Sequence, residues 1–208
     1  MKFGQVIASA PAIIPEAISE EFRSCLDEGP AVPFASVRAA VERDTRRRLE
    51  DAFAYFERTP LASASIAVVH RARLHDGREV VVKVLRPQMA EVVAGDLALL
   101  EPVSRFFARQ GSEIAYNAVS YLVGLRSQVA EELDLRNEVR TMAYFRALYS
   151  EFGLSKLVIP EVVPEHSGPS VLTMEYLDGV PVDDLAGAEA LGVDPAPLIG
   201  DLLRAWVL

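Results

Sequence analysis

The chain carries one cysteine, Cys25, so no internal disulfide can form, and no CxxC or Cys/His spacing surrounds it. That removes the sequence basis for an oxidising compartment and for a zinc site. The three histidines, His70, His75 and His166, are scattered without metal-ligand spacing, and no chemistry is assigned to them. No apolar run reaches the roughly 18–20 residues that a bilayer span requires. An excess of positive charge is missing too: 21 Lys and Arg against 30 Asp and Glu give a net charge of -9, which argues against nucleic acid as a partner. The one basic run, Arg46-Arg47-Arg48, is short. It reads as a solvated helix face, the alternative being contact with anionic lipid or a partner. Met1-Lys2, an apolar stretch and Ala8-Ser9-Ala10 imitate a signal peptide, but Gln5 interrupts the stretch. The expectation is a cytoplasmic protein whose membrane contact, if any, is peripheral.

What the chain does have is 208 residues, half of them apolar and a quarter charged, the balance of a soluble globular fold. Residues 1–58 read as a helical extension broken at Pro11, Pro15, Pro30 and Pro33, with a stripe of Ile14, Ala17, Ile18 and Phe22 and a second helix from about 36 to 55. Past Pro60 the period changes to two. Ile66, Val68, His70 and Ala72 alternate with Ala67, Val69, Arg71 and Arg73, then Asp76-Gly77 offers a tight turn and Val80–Leu85 a β-branched return strand. Long helices are expected over about 88–109 and 116–149, strands around 156–163 and 170–175, and a return to helix after Asp178-Gly179. Helices, a hairpin, long helices, two strands and a helix in that order predict the α+β class, an antiparallel sheet with inserted helices. The units are a helical extension 1–58, a lobe 59–178, and a hinge 179–208 that begins a further lobe.

Three features point to chemistry. Lys83 lies in an apolar strand, where an ammonium needs a carboxylate or an anionic ligand unless its stem snorkels to solvent from an edge strand; both readings stay open. Ala62-Ser63-Ala64-Ser65 opens the hairpin with small residues whose amides can approach a phosphate, although such loops are also simply compact turns. In the acidic run 131–138, Glu131, Asp134 and Glu138 fall near one helical face, either solvated or sharing a cation such as Lys83 or a metal.

Taken together, these segments resemble the UbiB-type (AarF-like, ADCK-like) atypical kinase family from Lys2 onward. Lys2-Phe3-Gly4-Gln5 looks like its KxGQ motif, Ala62–Ser65 like its Ala-rich nucleotide loop, Val81-Val82-Lys83 like the kinase strand lysine, and Glu132-Leu133-Asp134 with Glu138 like its ExD segment. The resemblance implies a protein-kinase-like small lobe. In it Lys83 contacts the phosphates of ATP or ADP and pairs with Glu138, and backbone groups near Glu175 and Leu177 hold the adenine edge. It further implies that Lys2 and Gln5 form a regulatory element, Lys2 reaching Glu132 and Asp134, and that the chemistry is ATPase or lipid- and quinone-linked rather than protein phosphorylation. Mg2+ would accompany the nucleotide in the complete enzyme. Two departures stand out. Ile66-Ala67-Val68-Val69 replaces the family's Ile-Gly-Gln-Val, adding a Cβ and removing an amide side chain near the phosphates. The catalytic-loop Asp, its Asn and the Asp-Phe-Gly metal site are expected beyond Leu208, so the chain alone is expected not to turn over ATP. The alternative function is a non-catalytic interaction module docking a partner or a membrane surface. The apolar stretch 202–208 is expected to favour self-association into a homo-oligomer.

Overall fold

The computed structural model describes residues 31–64, 66–87, 131–181, 184–192 and 195–207, together with 89, 95 and 102. The expected helices at 2–30 and, but for single positions, at 88–109 lie outside these residues, as does the 116–130 part of that expected at 116–149. So do Lys2, Gln5 and Ser65.

Five strands form one antiparallel sheet: β1 (Tyr55–Phe56), β2 (Ala62–Ser63), β3 (Ala67–Arg73), β4 (Glu79–Leu85) and β5 (Val171–Glu175). The order is β1-β3-β4-β5, with β2 also pairing along the outer edge of β3. The hairpin β3–β4 falls where the period-two pattern puts it, in a register from Ala67 opposite Leu85 to Arg73 opposite Glu79. Its loop is wider than a two-residue turn. Only Gly77 takes a positive φ, 92°, after a turn closed by its N–H on the Leu74 carbonyl at 3.0 Å. A turn followed by a left-handed glycine matches the right-handed twist of the strands.

Both faces of the sheet are covered, which is why Val80, Val81, Val82, Val84 and Leu85 are all buried. On one face, Val68, Ala72, Val80, Val82, Val84 and Val171 pack on Val37, Ala40 and Val41 of α1 (Phe34–Thr45). On the other, Ala67, Leu85 and Leu172 meet Leu135, Val139 and Met142 of α3 (Leu135–Glu151). Asp44 ties the first layer together: its buried carboxylate accepts from the Ser170 N–H at 2.7 Å and hydroxyl at 2.9 Å, at the start of β5.

Two expected elements change. The helix expected from 36 to 55 stops at Arg46, which caps α1 in the left-handed region (φ 56°), and resumes only as the short α2 (Leu49–Ala52). Thr45 turns its hydroxyl back on the Val41 carbonyl at 2.7 Å, and Glu42 caps α2 through the Leu49 N–H at 3.0 Å. These side chains make the break, with neither Gly nor Pro present. The strand expected around 156–163 is reduced to a bridge, Val162 opposite Met174, with the 3-10 turn Pro164–His166 after it. Pro160 and Pro164 lack the N–H groups that a longer ladder would use. Beyond β5, α4 (Leu185–Ala190) and α5 (Pro195–Val207) follow. No described helix is long and apolar enough to cross a membrane.

His70 and His166, 2% and 8% exposed, sit in an aromatic cluster with Phe53 and Phe56, and burial pulls both below the ordinary histidine value. The unfolded chain therefore binds more protons between those lowered values and about 6.5, and stability rises with pH across that window. The urea midpoint is expected to be flat above pH 7 and to fall as pH drops below about 6.5. Replacing both residues by Gln is expected to flatten that decline, measured as urea midpoint against pH.

Candidate functional site

Lys83 is two positions from the end of β4, and cross-strand pairing places it in a row. Ala62 of β2 stands opposite Val69 of β3, Val69 opposite Lys83, and Lys83 opposite Leu172 of β5. Residues directly opposite share a face, so the small-residue segment and the lysine lie on the same side of the sheet, two strands or about 10 Å apart. That side is the one packed on α3.

Helix α3 supplies the counter-charge. Its start is set by Asp134, whose side chain accepts from the Arg136 N–H at 3.1 Å, and by Leu135, which is buried and donates its N–H to Pro169 at 2.8 Å. With the first turn so placed, Glu138 faces the sheet. Lys83 Nζ donates to both of its carboxylate oxygens, at 2.9 and 2.7 Å. The side chains are 24% and 37% exposed, so the pair is partly open to solvent and not in the core. The snorkelling alternative for Lys83 is thereby replaced by an ion pair.

The expectation that Glu131, Asp134 and Glu138 share one helical face is corrected. Asp134 is extended (φ -125°, ψ 99°) and breaks the run, because a capping aspartate competes for backbone N–H groups. Its carboxylate is gripped by Arg136 through Nε at 2.8 Å and Nη2, and that guanidinium holds the carboxyl below the ordinary aspartate range. Glu132 is half-buried beside it.

At the other end of the row, Ala62, Ser63 and Ala64 are exposed, and Ala64 N–H closes the turn on the Ala67 carbonyl at 2.8 Å. The two departures after the loop do not face the row's open side. Ala67 is 1% exposed, its side chain in the cluster of Leu85 and Leu172, while Val68 is 2% exposed on the opposite face, against α1. The hinge end holds Glu175, whose N–H donates to the Glu161 carbonyl at 2.8 Å, and exposed Leu177. Between them Tyr176 bonds the Glu79 carbonyl at 3.2 Å and lies under Arg71.

Sequence reasoning missed Arg86. It is buried and donates from Nε to the Ala64 carbonyl and from Nη2 to Ser63 Oγ, both at 2.9 Å. The available signal was a charged residue closing an otherwise apolar strand, directly before Pro87.

A strand lysine clasped by a glutamate from the helix packed on the same face of a small antiparallel sheet defines a protein-kinase-like small lobe. The comparisons agree. The model of the ABC1 atypical kinase-like domain matches residues 24–207, and the chain belongs to that family. It is similar to an aarF domain-containing protein kinase of Arabidopsis thaliana, named as uncharacterized and chloroplastic, with 36% identity over 99% of this chain and 39% of that protein. It is also similar to the "Probable protein kinase UbiB" of Xylella fastidiosa, 33% identical over 99% of this chain and 37% of that one. The chain thus spans less than two-fifths of the length of these relatives. Among solved structures, the Rv3197–erythromycin complex of Mycobacterium tuberculosis superposes with a TM-score of 0.59 at 31% identity, covering 86% of this chain and 44% of that one.

A pair this exposed adds little to folding, since such ion pairs contribute about 1 kcal/mol or less. Glu138→Gln is therefore expected to lower stability by under about 1 kcal/mol. Asp134→Ala, which removes the helix cap, is expected to lower it by about 1 kcal/mol, and Asp134→Asn by less. Urea unfolding followed by circular dichroism measures all three.

Proposed function

We propose that this chain is the nucleotide-binding part of a UbiB-like atypical kinase or ATPase, with ATP or ADP as its ligand. The observation that carries the reading is the two-oxygen grip of Glu138 on Lys83 Nζ, on the same sheet face as the Ala62–Ala64 segment. An ammonium has three N–H donors; two turned to Glu138 fix its position, and the third is directed to a phosphate oxygen. The pair contributes little to stability, so its placement makes sense as a preset clamp for phosphate.

The adenine edge belongs at the hinge. With the Glu175 N–H engaged by Glu161, its carbonyl and the backbone of Leu177 are the groups that take the base. Among the described residues no group of three or more His, Cys, Asp or Glu could hold a metal, and Mg2+ enters this proposal with the nucleotide. Pairing of Lys2 with Glu132 and Asp134 is part of the same reading, as is a link to lipid or quinone metabolism in the whole protein. Exposed Ile199, Leu202 and Leu203 on α5 support self-association of the chain.

Mg-ATP at about 100 times its dissociation constant is expected to stabilise the fold by about 2.7 kcal/mol, seen as a rise in melting temperature. Lys83→Ala is expected to abolish most of that rise while leaving the unliganded melting temperature within a few degrees. No rise for the wild-type chain at millimolar Mg-ATP would refute nucleotide binding.

A further inference from the structure

Arg86 is the one lysine or arginine in the buried class among the described residues, 6% exposed. Taking a guanidinium out of water costs several kcal/mol unless its donors are used, and two of them are used on the small-residue loop. Nε donates to the Ala64 carbonyl at 2.9 Å, Nη2 to Ser63 Oγ at 2.9 Å, and the residue's own N–H to the Ile66 carbonyl at 2.8 Å. Three bonds from one residue thus tie Ser63, Ala64 and Ile66 to the residue that follows β4. Lys83 lies three residues earlier on that same strand. The small-residue loop and the phosphate lysine therefore share one rigid frame.

The chemistry at Ser63 has a direction. Its oxygen accepts from the guanidinium, so the hydroxyl proton must point elsewhere. The exposed side of the loop is where that proton can serve an anion. A guanidinium does this as a planar fork that holds two acceptors at a fixed spacing, whereas a lysine would offer a point charge with no such geometry.

The geometry points to Arg86 as a positioning residue of the nucleotide site. It holds the loop beside Lys83 so that the Ser63 hydroxyl meets nucleotide phosphates. Its action is confined to the phosphate end, and the inference rests on the nucleotide reading above.

Titrations of the wild-type chain, Arg86→Lys and Arg86→Gln with Mg-ATP and with adenosine test it. Both variants are expected to lose about tenfold or more in Mg-ATP affinity, the equivalent of one charge-assisted hydrogen bond, with adenosine affinity changed by less than about twofold. In the wild-type chain, labelled with nitrogen-15, the Arg86 Nε–H signal is expected to be protected from solvent exchange and to shift with Mg-ATP but not with adenosine. That measurement stands even where a variant fails to fold. Equal losses for both ligands, unchanged Mg-ATP affinity in Arg86→Lys, or a Nε–H signal indifferent to Mg-ATP would each overturn the role of Arg86 while leaving nucleotide binding in place. A wild-type chain that binds neither ligand would overturn the nucleotide reading itself, and the role of Arg86 with it.

Discussion

An ammonium on the covered face of a sheet must be met by a carboxylate or withdrawn to water, and Glu138 meets Lys83 from the helix packed on that face. The rest of the site depends on how narrowly this meeting is determined. Side chains alternate along β4, so a one-residue slip of register would send Lys83 into the valine core against α1. Successive residues of α3 are about 100° apart around its axis, so a one-residue shift in where the helix begins would turn Glu138 away. The Asp134 cap and the buried Leu135 fix that beginning. A local capping choice thus decides a contact between residues that are 55 apart in the chain.

The two sheet faces divide the work. The α1 face is a close-packed layer of Val37, Val41, Val68, Val80, Val82, Val84 and Val171, each exposed by 2% or less. Stiff β-branched side chains suit strands and hold the twist of the sheet, and the buried polar groups on this face are bonded locally, Thr173 to the His166 carbonyl and His70 to the Glu57 carbonyl. The α3 face is thinner: Ala67, Leu85, Leu135 and Leu172 anchor one end of it, and Val139, Met142, Val162 and Met174 are only partly buried. A face with partly open packing can admit a ligand and keep an ion pair at its mouth.

What was legible in the sequence followed from period. A lone lysine in a seven-residue strand of mostly β-branched residues stands out at once, and the glycine at 77 marks the turn. The family resemblance linked Lys83 to Glu138, which no local pattern could do. Illegible were the features that depend on one side chain overriding a propensity. Arg46 adopts a left-handed conformation that favours glycine, and Asp134 interrupts an acidic stretch that reads as continuous helix. The 156–163 segment was expected as a strand, but Pro160 within it and Pro164 just after it leave only a bridge. Arg86 was invisible for another reason: its partners lie 22 and 23 positions away, and their proximity exists only once β2, β3 and β4 are in register.

The altered stretch after the loop sharpens the part that the loop backbone plays. Ala67 and Val68 look in the sequence like losses at the phosphate end, yet one side chain is spent in the core beneath the row and the other faces α1. Neither residue offers or withholds a polar group on the exposed side of the loop. Under the proposed nucleotide reading, recognition there would fall to the serine hydroxyl and the backbone, and amides recognise phosphate only when several point to one place. Small residues lower the steric barrier to that arrangement, but the exposed side chains of Ala62, Ser63 and Ala64 add no packing to hold it. A loop of this composition needs its order supplied from below. In this fold the material beneath it is the end of the lysine's own strand, where a buried guanidinium ties the loop to the clamp.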